Sequence, residues 1–279
     1  MKNLVKSVFI SFMIVALMAS CSEAGDVSVG FALTDAPIDE SVVTAVNVTI
    51  SSIAVNTSAD GNIADSDGSW TVLPIEPAST LNLLDLQNGL AEELGALVIT
   101  GGTQINQIRL GVDTVEIMEG SVAKTATMPS ATGLKIVNAF QIPLSGAITI
   151  TIDFDVRKSI VYNAGSYLVK PVLRAVIDNE AGKITGSVPA GVTTVYAYAN
   201  DAYAASEAIA NADGLKYTSA YTSALVTAAG STYTLAFLDA GTYDLYGVDA
   251  TGTIVAQLAD VVVAADTTTS GQVLVATTP

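Results

Sequence analysis

The sequence predicts an all-β protein built from two antiparallel β-sandwich domains. Three observations carry this. Half of the 279 residues are hydrophobic but only 6% are aromatic, and the excess is Val, Ile, Ala and Leu set among Thr and Ser, a mixture that favours strands. Apolar residues alternate with polar ones in short runs, as at Val27, Val29, Phe31 and Leu33, the period of a strand with one buried face. Turn residues separate these runs with no long helical pattern between them, and strands so joined pack as antiparallel sheets face to face.

Ahead of the first strand, Lys2 and Lys6 precede an apolar run from Val8 to Met18 that ends in Ala19-Ser20-Cys21. A basic start, an apolar stretch and small residues read as an export signal. The run is shorter than the roughly 20 residues that span a bilayer as a helix. Small residues before a cysteine resemble the bacterial lipobox, although Met18 stands where that pattern has Leu, Val or Ile. The resemblance implies cleavage before Cys21 and lipid attachment on its thiol, and several acyl chains hold a protein stably on a membrane surface. Residues 1–20 are then a lipoprotein signal peptide and 21–26 a tether. Ser22 follows the cysteine in place of the Asp that marks inner-membrane retention, so the expected address is the cell envelope at the outer membrane.

The first body is expected over residues 27–179. After the strand at Val27, Thr34-Asp35-Ala36-Pro37 turns the chain. Val46, Val48 and Ile50 share a face, and a phase shift through Ser51-Ser52 brings Ile53 and Val55 onto it, as across a bulge. Asp60, Asp65 and Asp67 fall in a turn-rich loop before the strand with Trp70, Val72 and Leu73. An EF-hand loop closes on a bidentate Glu that is missing here, so loop chemistry outweighs calcium. Leu81 to Leu86 and then Gln87 to Gly95, with Glu92-Glu93 and a closing Gly, predict a helical turn or two. Further strands are expected over 107–112, 114–118, 134–140, 148–156 and 167–177.

Asp178-Asn179-Glu180-Ala181-Gly182 reads as a hinge, and a second body is expected over 183–279. Eight of the ten tyrosines lie between Tyr196 and Tyr246, while Lys183 and Lys216 are its only basic residues, so the halves are not repeats. Tyr233, Leu235 and Phe237 share a face, and a seven-strand sandwich fits the length. The alanine-rich stretch from Asp201 to Ala212 is an excursion between strands.

Charge and residue usage narrow the function. There are 27 acidic and 11 basic side chains, and removal of Lys2 and Lys6 leaves a net charge of −18, which disfavours nucleic acid as a partner. Cys21 is the only cysteine and histidine is absent, so there is no internal disulfide, no thiolate cluster, and no imidazole base or ligand. No cofactor or metal is expected.

Two constellations are candidates for more than structure. Asp153 and Asp155 share one face of a strand with Thr149, Thr151 and Arg157, the spacing a paired-carboxylate glycosidase can use, but such enzymes work in aromatic-lined clefts and Trp70 is the only tryptophan. A solvated face on which Asp153, Asp155, Arg157 and Lys158 form weak ion pairs is the expected reading. Tyr196, Tyr198, Tyr203, Tyr217 and Tyr221 can form a flat surface for a protein or glycan partner, since tyrosine combines apolar area with a polar tip.

The motifs Ala32-Leu33-Thr34-Asp35-Ala36-Pro37-Ile38-Asp39, Asn82-Leu83-Leu84-Asp85-Leu86-Gln87-Asn88-Gly89, Gln107-Ile108-Arg109-Leu110, Ile152-Asp153-Phe154-Asp155 and Leu168-Val169-Lys170-Pro171-Val172 resemble, in order, the domain of unknown function numbered 4382. Its members are mostly exported prokaryotic lipoproteins, and no functional residue is carried over. Gln104 departs from the pattern where an aromatic is usual. Ile184-Thr185-Gly186-Ser187-Val188 and Leu238-Asp239-Ala240-Gly241-Thr242-Tyr243-Asp244-Leu245 resemble the carboxypeptidase regulatory-like, prealbumin-type sandwich, which implies a spacer or interaction domain. The expected function is therefore that of a non-enzymatic envelope lipoprotein for binding or structure. The alternatives are a fimbrial or pilus-type subunit assembling by strand exchange and a carboxylate-dependent polysaccharide hydrolase.

Overall fold

The computed structural model describes residues 24–37, 42–58, 68–128, 134–163, 165–227 and 230–277. The leader with Cys21 and the loop with Asp60, Asp65 and Asp67 lie outside the described residues. The regular structure of the described chain is nearly all strand, and no helix in it is long and apolar enough to cross a membrane.

The first half holds β1 (Asp26–Thr34), β2 (Val43–Asn56), β3 (Trp70–Asn82), β4 (Glu92–Thr100), β5 (Gln104–Ile105), β6 (Gln107–Glu119), β7 (Val122–Thr125), β8 (Leu134–Ile136), β9 (Phe140–Gln141), β10 (Gly146–Phe154), helical turn α1 (Val156–Ser159), β11 (Ile160–Asn163), β12 (Ser166–Val169) and β13 (Leu173–Ile177). One sheet runs β13-β10-β1-β4 and the other β3-β2-β6-β7, with β8 also on β6. Their apolar faces meet in one core that includes Phe31, Leu33, Val48, Ile50, Ile108, Ile152 and Phe154. Alternation at β1 and β10 supplies this face directly. The phase shift in β2 is real: its register slips between Ile50 and Ser52 against both neighbours, and Ile50, Ile53 and Val55 are all fully buried.

The second half holds β14 (Ala181–Ser187), β15 (Thr194–Ala199), β16 (Thr222–Leu225), β17 (Thr232–Asp239), β18 (Gly241–Val248), β19 (Ile254–Val263), β20 (Thr268–Val273) and β21 (Val275–Ala276). They form sheets β17-β14-β20 and β16-β15-β18-β19-β21 around Ile184, Val195, Leu235, Leu238, Leu245 and Val261. This is one strand more than the seven expected. Among the described residues the named strands pair antiparallel except for β1 with β10 and β14 with β20, which run parallel, and an isolated bridge between Thr127 and Leu168 is parallel as well.

Several local expectations are corrected. The leucine-rich segment makes one 3₁₀ turn, Leu83–Leu86, and then stops. Asn88 and Gly89 both have positive φ, which ends a helix, and Glu92-Glu93 instead pair with Leu33 and Ala32 of β1. Pro171 lies in the break between β12 and β13, where a missing N–H interrupts a ladder. Residues 134–140 likewise divide into two short strands. The stretch read as a hinge is a 3₁₀ turn, Asp178–Glu180, that feeds directly into β14. Phe237 leaves the face of Tyr233 and Leu235 because it sits at φ 55° beside a register shift, and Leu238 is buried instead.

Candidate functional site

The end of β10 and the turn after it carry three buried charged side chains, Asp153, Asp155 and Arg157. Asp153 faces Thr34 of β1 on one side and Arg174 of β13 on the other. Two residues on, Asp155 caps α1 by accepting from the Lys158 N–H at 3.1 Å, the local bond that turns Asp into a helix start. That turn points Arg157 and Lys158 away from the first core and toward the second half.

The solvated face expected here does not exist. Asp153, Asp155 and Arg157 are 4%, 5% and 3% exposed, because the second half covers them. Arg174 Nη2 lies 2.7 Å from Asp153 Oδ2, and Lys158 Nζ lies 3.0 Å from Asp155 Oδ2. Each cation also crosses the junction. Arg157 Nη1 donates to the carbonyls of Lys216 and Tyr217 at 3.2 and 2.8 Å, Lys158 Nζ donates to the Ala220 carbonyl at 2.6 Å, and Arg174 Nη1 donates to the Phe237 carbonyl. The donors come from the first half and the carbonyl acceptors from the second, which has only two cations of its own. Tyr217 and Phe237, at φ 53° and 55°, occupy left-handed backbone that bulky residues rarely adopt. In both, the carbonyl of the strained residue receives an arginine.

Asp35 completes the cluster. It is buried, and its Oδ1 accepts from the Val156 N–H at 2.9 Å. Burial holds its carboxyl well above the ordinary carboxylate range despite that bond, and the charges of Asp153 and Asp155 add to the rise. Burial also raises Asp153, with Arg174 opposing, and lowers Lys158. Because the folded-state pKa is raised, ionising Asp35 costs more in the folded chain than in the unfolded one, so its contribution to stability is fully present below the ordinary carboxylate range and is lost as pH rises through the raised value. Asp35→Asn, a neutral isostere that still accepts from Val156, is expected to flatten the fall in stability as pH rises above the ordinary carboxylate range; urea unfolding at a series of pH values measures the slope.

Two spaces adjoin the cluster. One, about 10 Å³, lies among Asp35, Asn88, Asp153, Arg174 and Ser223 and has room for about one water. The other is a cleft of about 400 Å³ whose walls include Arg157 and Ile160 of the first half and Thr194, Tyr196, Tyr217 and Thr251 of the second. Among the described residues no group of acidic, cysteine or histidine side chains is arranged to hold a metal ion.

The tyrosines expected to form an open surface are mostly interior. Tyr196, Tyr198 and Tyr217 are at most 1% exposed, because the 200–221 excursion folds back over the outer face of β15 and makes an aromatic layer there. Tyr196 stacks on Tyr217 with centroids 4.6 Å apart, and Tyr198 meets Tyr203 and Tyr246 edge-on. Tyr221 lies under the Arg174 guanidinium at 4.5 Å. Sequence reasoning grouped Asp153, Asp155, Arg157 and Lys158 and singled out Tyr196, but missed Asp35 and Arg174 as members of the cluster. A turn Asp and a strand Arg carry no local signal that the other half will cover them.

The model of a domain of unknown function, DUF4382, matches residues 25–171. The chain belongs to the DUF4382 family. The DUF4382 match takes in Asp35, Asp153, Asp155, Arg157 and Lys158 but ends before Arg174 and the second half. No curated protein is significantly similar to the chain. Among solved structures it is similar to the minor pilin GBS52 of Streptococcus agalactiae, with 10% identity over 90% of this chain and 97% of that one and a TM-score of 0.24. It is also similar to the shaft pilin SpaA of Lactobacillus rhamnosus GG, with 11% identity, 91% and 98% coverage and a TM-score of 0.24. The major pilin BcpA of Bacillus cereus gives 10% identity, 91% and 71% coverage and a TM-score of 0.22. These superpositions are too slight for any function to be transferred from them.

Proposed function

We propose that this DUF4382 protein is a non-enzymatic binding or structural module of the cell envelope, held on the outer membrane by lipid on Cys21. Its second half, read as a carboxypeptidase regulatory-like sandwich, acts as a spacer fixed to the first. The observation that carries the non-catalytic reading is the state of the carboxylates. Asp153 and Asp155 are engaged by Arg174 and Lys158, and the space beside Asp153 and Asp35 is water-sized. A glycosidase needs two carboxyls flanking an open site that admits a sugar. The same cations fasten the two halves, so the module presents one fixed surface, and the cleft at the junction is its natural ligand seat.

Anchoring is tested by fractionation and protease shaving of intact cells. Wild-type protein is expected in the membrane fraction and Cys21→Ala in the soluble one. Retention of Cys21→Ala on membranes overturns the lipid anchor, and degradation of wild type by external protease assigns the body to the outside of the cell.

A further inference from the structure

Charge is nearly missing from one corner of the first half. The chain as a whole has a net charge of −16, yet residues 94–108 and 136–152 contain no Asp, Glu, Lys or Arg. The fold brings these two stretches together. β4 runs antiparallel to β1 and β10 runs parallel to it, so β4 ends at Thr100 and β10 starts at Gly146, both beside the start of β1. β5 pairs with β9 through Gln104 with Gln141 and Ile105 with Phe140, which ties the two connections to each other.

Gly25 sits between them. Its N–H donates to the Leu144 carbonyl at 3.0 Å, and its own carbonyl accepts from the Gly101 N–H at 2.7 Å. Gly101 leaves no room for a side chain, since a Cβ there would stand 2.4 Å from the same Leu144 oxygen. The chain therefore enters the body at a fixed point among these loops. Around that point Val98 is 67% and Leu144 46% exposed, and Asp26 is the one charged residue of β1. The facing sheet brings β2 and β3 to the same end at Asn56 and Trp70. The sequence between those two residues carries Asp60, Asp65 and Asp67, so the nearly uncharged surface belongs to the β1 side.

From Cys21 to Asp26 the chain reaches at most roughly 18 Å when fully extended, so lipid on Cys21 holds this end against a bilayer. β1 and β10 run from it to Thr34 and Asp153 at the junction. The nine residues of β1 put the second half about 30 Å farther out. Anionic headgroups repel acidic side chains, whereas exposed Val and Leu gain from entering the headgroup boundary. The side that the tether brings to the lipid is the side from which acids are nearly absent.

We propose that the β1 side of this end rests on the bilayer surface, with Leu144 and Val98 in the headgroup region beside the acyl chains of Cys21. This rests on the reading of the chain as a lipid-anchored envelope protein and names the surface that faces the lipid.

The test uses the lipidated protein in vesicles of phosphatidylethanolamine and phosphatidylglycerol that contain a nitroxide-bearing lipid as quencher. A fluorophore is placed on Leu144→Cys, on Val98→Cys or, as a control in the second half, on Ile209→Cys, where the side chain is 72% exposed. Cys21 carries the lipid, so the introduced thiol is the one labelled. The Leu144→Cys and Val98→Cys labels are expected to be quenched at least about 5-fold more than the Ile209→Cys label, because contact quenching does not reach across roughly 30 Å. Val98→Glu with Leu144→Glu is expected to stay on the vesicles and keep its melting temperature, but to lose the quenching of a label on Ala147→Cys, an exposed neighbour in β10. Equal quenching at the three sites, or a double variant quenched like wild type, would overturn the proposal. So would a Leu144→Cys label already shielded in Cys21→Ala protein without vesicles, which would assign the face to a second copy. Wild-type protein that does not float with vesicles overturns the anchor and this proposal together. Protein that floats with both labels in water overturns this proposal alone.

Discussion

Arg174→Ala is expected to destabilise the protein by about 3–5 kcal/mol, the usual cost of removing one partner of a buried ion pair. Asp153 would be left 4% exposed without the guanidinium 2.7 Å away, and the second half would lose the donor to the Phe237 carbonyl. The loss comes from the stranded charge and not from the worth of the pair. Replacing both partners, Asp153→Leu with Arg174→Met, is therefore expected to recover most of it. Urea unfolding of the wild type, the single variant and the double variant measures this. A loss under about 1 kcal/mol for Arg174→Ala would mean that the pair behaves as an exposed one, and the account of the junction would fail.

Gly186→Ala is expected to cost about 3 kcal/mol, toward the upper end of what overpacking costs. Gly186 lies in β14 against its parallel neighbour β20, and a Cβ there would stand 1.7 Å from the Gln272 carbonyl oxygen and 2.6 Å from its carbon. Both atoms are backbone, so no rotamer change relieves the overlap and β20 has to move. The Tyr233 hydroxyl, which donates to the same carbonyl at 3.1 Å, would lose its acceptor. Gly68, with nothing within 4 Å of its would-be Cβ, is the control, and Gly68→Ala is expected to stay within about 0.5 kcal/mol of wild type. Thermal unfolding followed by tyrosine near-ultraviolet signal compares the two. Equal melting temperatures would show that β20 is not held against β14 as described.

The strands were legible because alternation is a local signal with a physical cause. β1 and β10 each show one apolar face, and the slip at Ser51-Ser52 was visible as a change of phase. What alternation does not tell is what lies against the other face. Thr149, Thr151 and Asp153 have the polarity of a solvated surface, yet Thr151 and Asp153 are buried, and Thr222, Ser223 and Phe237 of the second half lie around Asp153. Tyr196 and Tyr198 failed for the same reason. β15 is covered on both sides, which strand period alone registers only when both faces are aliphatic. The helical reading of Gln87 to Gly95 erred differently, since acidic residues and leucines at suitable spacing outweighed Asn88-Gly89, a pair with a left-handed preference.

β1 lies between β10 and β4 and pairs with both along most of its length. It is the first strand after the proposed attachment point and an interior one. Tension applied through the N-terminus therefore acts along the strand, parallel to β10, and loads many ladder bonds at once in shear. An edge strand tethered at the same end would instead unzip bond by bond. Resistance to forced unfolding is set by the barrier on that path and not by equilibrium stability. A body tethered this way can be weakly stable in urea and still hold when pulled by its anchor, a mechanical property that belongs to the strand order alone.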